Sequence, residues 1–203
     1  MEEARAIRQI KVMKKGTKSI RLAAEAWDKP WKTLIATVLS AQTMDEVTIP
    51  NSKILFAKYN SIQSLSKAKS SEVLKIIKPI NFNKTKSKNV VNCAKKLISD
   101  FKGKIPETIE ELIILPGVGR KTANVFLSES GIPGIGVDTH VSQISQKLNW
   151  TKNSNPRKIE KDLKSLFSKR NWNFVNSNLV RFGKTYTSRK EKEEILKKIS
   201  KIR

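Results

Sequence analysis

No regular element can run through Leu115-Pro116-Gly117-Val118-Gly119-Arg120. Proline has no amide hydrogen and its ring clashes with the preceding turn, so a helix arriving from the N-terminal side must stop there. Gly117 supplies the left-handed backbone that ends a helix, and Gly119 lets the chain enter another. Both flanks read as helical. Thr108 and Glu111 make a capping-box pair ahead of Leu112, Ile113, Ile114 and Leu115, and Asn124, Phe126 and Leu127 follow the break. The expected local structure is helix, tight glycine hairpin, helix.

The rest of the chain has the same period. Pro30 opens a helix in which Trp31, Leu34, Ile35, Val38 and Leu39 recur at helical spacing. Val90, Val91, Ala94, Leu97 and Ile98 mark another, after a polar stretch from Asn81 to Asn89. Asn155-Pro156 is a cap followed by a first-turn proline, with Ile159, Leu163, Leu166 and Phe167 on one face. Ser188 to Arg203 reads as a basic amphipathic helix docked by Ile195, Leu196, Ile199 and Ile202. Strand-like alternation is nearly absent, so the expected fold class is all-α. The length of 203 residues allows one good core or two modest ones.

Forty-one Lys+Arg against 18 Asp+Glu give a formal charge of +23. Such an excess repels itself in a compact fold and calls for a polyanionic partner. Nucleic acid fits best, because each neutralised phosphate releases a condensed counterion. Cys93 is the only cysteine, which rules out an intramolecular disulfide and a thiolate cluster, and suits an intracellular protein. The stretch Thr33 to Ala41 is too short to span a bilayer, and Met1 to Lys15 has no apolar signal core.

The hairpin has a chemistry of its own. A helix that starts after it exposes backbone N–H groups, and its dipole favours an anion there. A DNA phosphate is the expected ligand, held by Gly117, Val118, Gly119, Arg120 and Thr122 without any reading of sequence. A nucleotide-binding P-loop is not an alternative. Arg120 separates Gly119 from Lys121, the first glycine of that motif is missing, and the preceding segment is helical.

Leu115 to Asn124, followed by the loop Gly131-Ile132-Pro133-Gly134-Ile135-Gly136 and by Val137-Asp138-Thr139-His140-Val141, resembles the endonuclease III family of base-excision DNA glycosylases. Leu39-Ser40-Ala41-Gln42-Thr43-Met44-Asp45 and Arg181-Phe182-Gly183-Lys184 extend the resemblance over roughly Trp31 to Lys184. It implies two helical lobes with a DNA-binding cleft between them: residues 23–130, carrying the helix-hairpin-helix, and residues 1–22 joined with 131–203. It also implies Lys121 as the nucleophile and Asp138 as the essential carboxylate of a glycosylase and abasic-site lyase. A carboxylate stabilises the cationic sugar left when a base departs, and a neutral amine attacks C1′ to form a Schiff base. Burial and the neighbouring Arg120 are expected to lower the lysine pKa. Taken alone, a lysine in so basic a chain reads as an ordinary phosphate contact on a DNA-facing helix, and only the resemblance, with Asp138, reverses that reading.

The resemblance further implies that Gln42 fills the space left by an extruded nucleotide and that Phe82, in Ile80 to Lys84, is an apolar wedge. From the residues alone, Gln42 could cap a helix end and Phe82 could be core. Ser40 and Asp45 fall beside Gln42 as supporting residues. His140 reads as a structural partner of the aspartate loop. Trp27, Trp31, Trp150 and Trp172 read as core residues rather than base-stacking platforms.

One departure from the family is plain. Many members carry a C-terminal four-cysteine iron–sulfur cluster, and this chain has none of those cysteines. No cofactor or side-chain metal site is expected, beyond a cation bound by hairpin carbonyls. Arg189, Lys190 and Lys192 are expected to present to DNA the positive charge that the cluster loop supplies in relatives. The implied partner is duplex DNA with damaged bases or abasic sites, bound by a monomer in the cytoplasm or nucleoid, with no membrane. Oxidised pyrimidines are the first expected substrates. Mismatched, uracil, alkylated or oxidised-purine bases, or a non-catalytic DNA-binding module, are the alternatives.

Overall fold

The computed structural model describes residues 2–202. Twelve α-helices and one 3-10 turn make up the regular structure among the described residues, and none of these residues is in a strand. The chain is all-α. No described helix is long and apolar enough to cross a membrane. The helices form two compact units, Arg21–Ser130 and Met1–Ile20 with Gly131–Arg203.

The terminal segments form the second of these units. It holds α1 (Glu3–Lys15), α9 (Thr139–Lys147), α10 (Pro156–Leu166), a 3-10 turn (Lys169–Asn171), α11 (Trp172–Thr185) and α12 (Arg189–Ser200). Asn155 caps α10 through Oδ1, which accepts from the amides of Arg157 and Lys158. α12 docks through buried Leu196 and Ile199, with Ile195 and Ile202 half-buried. Its C-terminal carbonyls, which no helix can satisfy internally, are met from α1. The Arg5 guanidinium donates to Ile202 O at 2.7 Å and Ser200 O at 3.0 Å. Gln9, fully buried, donates to Ile199 O and accepts from the Trp150 indole at 2.8 Å. One amide thus ties three segments.

The middle unit is built on α2 (Pro30–Ser40). Eight of its eleven residues are buried, Leu34, Ile35 and Leu39 completely, and each such side chain contributes about 1.5–3 kcal/mol. Around it lie α3 (Asp45–Lys58), α6 (Asn83–Phe101) and α8 (Arg120–Glu129), while α4 (Ile62–Ser66) and α5 (Ser70–Ile76) pack on α6. The short α7 (Ile109–Leu112) packs on α8. Trp27 and Trp31 both meet Phe56 edge-on, and Trp150 meets Phe167 in the same way. Trp172 donates to Phe167 O. All four tryptophans are engaged within the protein.

Two elements differ from the sequence expectation. The helix before the hairpin stops at Leu112, although Thr108 caps it through the Glu111 amide, and Ile113 and Ile114 lie 45% and 53% exposed in a turn. Apolarity there does not signal burial. The helix through Val90 begins at Asn83, so most of the polar stretch is helical. Its first turns bury Lys86 and Ser87 where apolar residues would normally announce a helix.

Candidate active site

The glycine hairpin between α7 and α8 is set by two glycines with different tasks. Gly117 has φ +82°, and a Cβ there would come within 3.0 Å of Asn89 Cβ and 3.1 Å of Val38 Cγ1. It must be glycine both for its backbone and for the close approach of α2 and α6. Gly119 is extended at φ −88°, and nothing lies within 4 Å of where its Cβ would be. The fold does not need a glycine at 119. As the N-cap of α8 it makes no side-chain cap, and the first-turn amides of a helix have no intrahelical acceptor. Val118 and Thr122 are buried, so their side chains face into the unit.

Lys121 is the second residue of α8 and is exposed, as is Arg120. This corrects one expectation, since the unit that carries Lys121 does not bury it. Behind it, Asn124 is buried, with its amide donating to Arg120 O at 3.2 Å.

Gln42 and Phe82, distant in sequence, are joined at one tip of the same unit. Both are exposed non-glycine residues with left-handed backbone, φ +54° and +58°. Phe82 is 64% exposed at the N-cap of α6, so it is not a core aromatic. Asn81 Nδ2 donates to Gln42 O at 2.6 Å. The Ser40 hydroxyl donates back to Thr37 O at 2.9 Å, and buried Asp45 accepts from the Ala23 amide at 3.3 Å. Lys86, only 6% exposed, donates to Leu39 O, Ala41 O and Thr43 Oγ1 on either side of Gln42.

Asp138 belongs to the other unit. It is half-buried at the N-cap of α9, where Oδ1 accepts from the Val141 amide at 2.8 Å. The loop leading to it is pinned from α11: Asn173 Oδ1 accepts from the Gly134 amide and Asn176 Oδ1 from the Gly136 amide, both at 2.9 Å. His140 stacks against Gly183, where any Cβ would collide with the imidazole. The sequence reading missed Asn173 and Asn176. Their signal was available as two amides three residues apart, beside the apolar stripe of Val175, Leu179 and Phe182 on α11.

On α12, Arg189 and Lys190 are exposed and Lys192 is half-buried, its ammonium pushed below its ordinary pKa by burial. Glu193 accepts from Lys147 and Arg189 at 3.3 Å, which holds its carboxyl below the usual range. These residues do not fit an iron–sulfur cluster. Cys93, the only cysteine, lies buried in α6, its thiol pushed up to about 12. Among the described residues no three His, Cys, Asp or Glu side chains are grouped to hold a metal ion.

Residues 35–169 match the family model described as HhH-GPD superfamily base excision DNA repair protein. The chain is 40% identical to endonuclease III of Thermotoga maritima over 156 residues, 76% of this chain and 73% of that one. It is 37% identical to endonuclease III of Synechocystis over 160 residues, covering 78% and 73%. A solved structure of a trapped endonuclease III–DNA covalent intermediate superposes with a TM-score of 0.84 at 30% identity, over 93% of this chain and 89% of that one. A thermostable thymine-DNA glycosylase, 19% identical, shares the fold with a TM-score of 0.76 over 92% and 91%. With its hairpin, its pinned Gly/Pro-rich loop and the aspartate that ends it, the chain belongs to the endonuclease III family of base-excision DNA-repair glycosylases.

Proposed function

We propose that this chain is a bifunctional glycosylase and abasic-site lyase acting on oxidised pyrimidines in duplex DNA, with Lys121 as nucleophile and Asp138 as its carboxylate partner. The observation that carries the reading is an exposed lysine on the first turn of α8, directly after a hairpin whose open glycine, Gly119, the fold does not require. The C1′–N bond breaks with its electron pair leaving on the base, and the Asp138 carboxylate stabilises the positive sugar. The Lys121 amine bonds to C1′, the ring opens, and a proton ends on O4′. Loss of a C2′ proton then expels the 3′ phosphate, and water releases the enzyme from the Schiff base. The amine must be neutral to attack.

DNA phosphate is assigned to the α8 amides beside Gly117, Val118, Gly119, Arg120 and Thr122, and to Arg189, Lys190 and Lys192. Gly119→Ala should weaken duplex binding about tenfold with stability changed by less than about 0.5 kcal/mol. Gly117→Ala should instead lower stability by about 1–2 kcal/mol or more, since its φ is positive. Equal behaviour of the two variants in binding and urea melts would contradict the division. Changing Arg189, Lys190 and Lys192 together to glutamine should reduce the slope of log affinity against log salt by about 2–3. An unchanged slope would remove α12 from the interface.

Substrate class is tested on matched duplexes. Thymine glycol strands should be cut without alkali, leaving a 3′ unsaturated aldehyde. Excision that needs hot alkali for strand breakage, or that favours uracil, mismatched or alkylated bases, would replace this assignment.

A further inference from the structure

We infer that Lys86 is a positioning residue for base extrusion: together with Asn81 it locks the Gln42 segment to the Phe82 tip, so that both enter the duplex as one rigid piece. The inference rests on the assignment of Gln42 to the space left by an extruded nucleotide and of Phe82 as the apolar wedge.

Lys86 lies near the start of α6 and is 6% exposed. Its Nζ is 2.7 Å from Leu39 O, 2.5 Å from Ala41 O and 3.0 Å from Thr43 Oγ1. An ammonium has three protons and no acceptor, so these three oxygens use it completely. All three belong to neutral groups. Burying a cation without a carboxylate carries a desolvation penalty, and burial brings this ammonium down to about 8, still mostly protonated at neutral pH. A core that needed only volume would be served better by leucine or methionine.

The acceptors show what the charge holds. Leu39 and Ala41 stand at the C-terminal end of α2, where carbonyls are left over and the dipole favours a cation. Capping α2 would use those two alone. Thr43 lies on the other side of Gln42, so one ammonium grips the backbone before and after that residue. Gln42 O is taken by Asn81, the residue immediately before Phe82. The Gln42 backbone is thereby fixed from α6 while its side chain stays exposed, and Phe82 projects from the same end of α6. Both residues hold a left-handed backbone that non-glycine residues rarely adopt, a conformation that lasts only where surrounding contacts enforce it.

The test uses the full chain and a duplex with a tetrahydrofuran abasic analogue opposite 2-aminopurine, whose fluorescence reports entry of Gln42 beside the orphan base. The native protein should raise the signal, and Gln42→Ala should lose it. Lys86→Met should lose more than about half of it and lower single-turnover excision of thymine glycol about tenfold or more, with the KM for DNA within about threefold. Lys86→Arg should recover part of both. A folded Lys86→Met protein with the native signal and rate, while Gln42→Ala loses the signal, would overturn the role of Lys86 alone. No signal from the native protein would overturn the Gln42 assignment and the inference with it. Should Lys86→Met fail to fold, Asn81→Ala breaks the second tie at an exposed position. It should lower the signal at a native melting temperature, and an unchanged signal would overturn the inference.

Discussion

Lys121→Ala is expected to reduce strand cleavage at an abasic site by about 1,000-fold or more, about 4 kcal/mol of barrier, with duplex affinity changed by less than about threefold. Lys121 is exposed on the first turn of α8 and the hairpin glycines are untouched by its loss, so neither fold nor phosphate grip should suffer. Only the covalent step needs its amine. Single-turnover cleavage with a parallel binding titration checks this. A fall in affinity that matches the fall in rate would make Lys121 a phosphate contact.

Asp138 needs a pair of variants, because its carboxylate does two things. Oδ1 caps α9 at the Val141 amide, and the negative charge is assigned to the sugar cation. Asp138→Asn keeps an acceptor for the cap and removes the charge. Excision should fall about 100- to 1,000-fold while stability stays within about 0.5 kcal/mol. Asp138→Ala removes both and should cost about 1 kcal/mol of stability as well. Urea melts beside single-turnover rates separate the two effects. Native excision by the asparagine variant would reduce Asp138 to a helix cap.

What could be read from sequence follows the range of the interactions. Helix starts at Pro30 and Asn155-Pro156, the break at Pro116-Gly117 and the motif around Lys121 and Asp138 are fixed by residues close together in the chain, and they were legible. The amides that pin the aspartate loop were not, because Asn173 and Asn176 act on backbone 39 and 40 residues away. Lys86 was hidden for the same reason and for another. A lysine on a helix of a very basic protein reads as solvated surface, and only the fold shows it buried against carbonyls 45 and 47 residues away. Phe82 could have been core or wedge by type, and its exposure excludes the core. Ile113 and Ile114 mislead in the opposite direction, because four apolar residues in a row carry no period that separates a helix from a turn.

The measurement that bears most directly on the covalent mechanism is borohydride trapping of the native protein and Lys121→Ala on a labelled duplex with an abasic site. A stable protein–DNA adduct from the native chain, absent from the variant and mapped by peptide mass to Lys121, is the expected result. An adduct that persists at native yield in Lys121→Ala, or damaged-base excision by the native chain with no adduct at all, would contradict it.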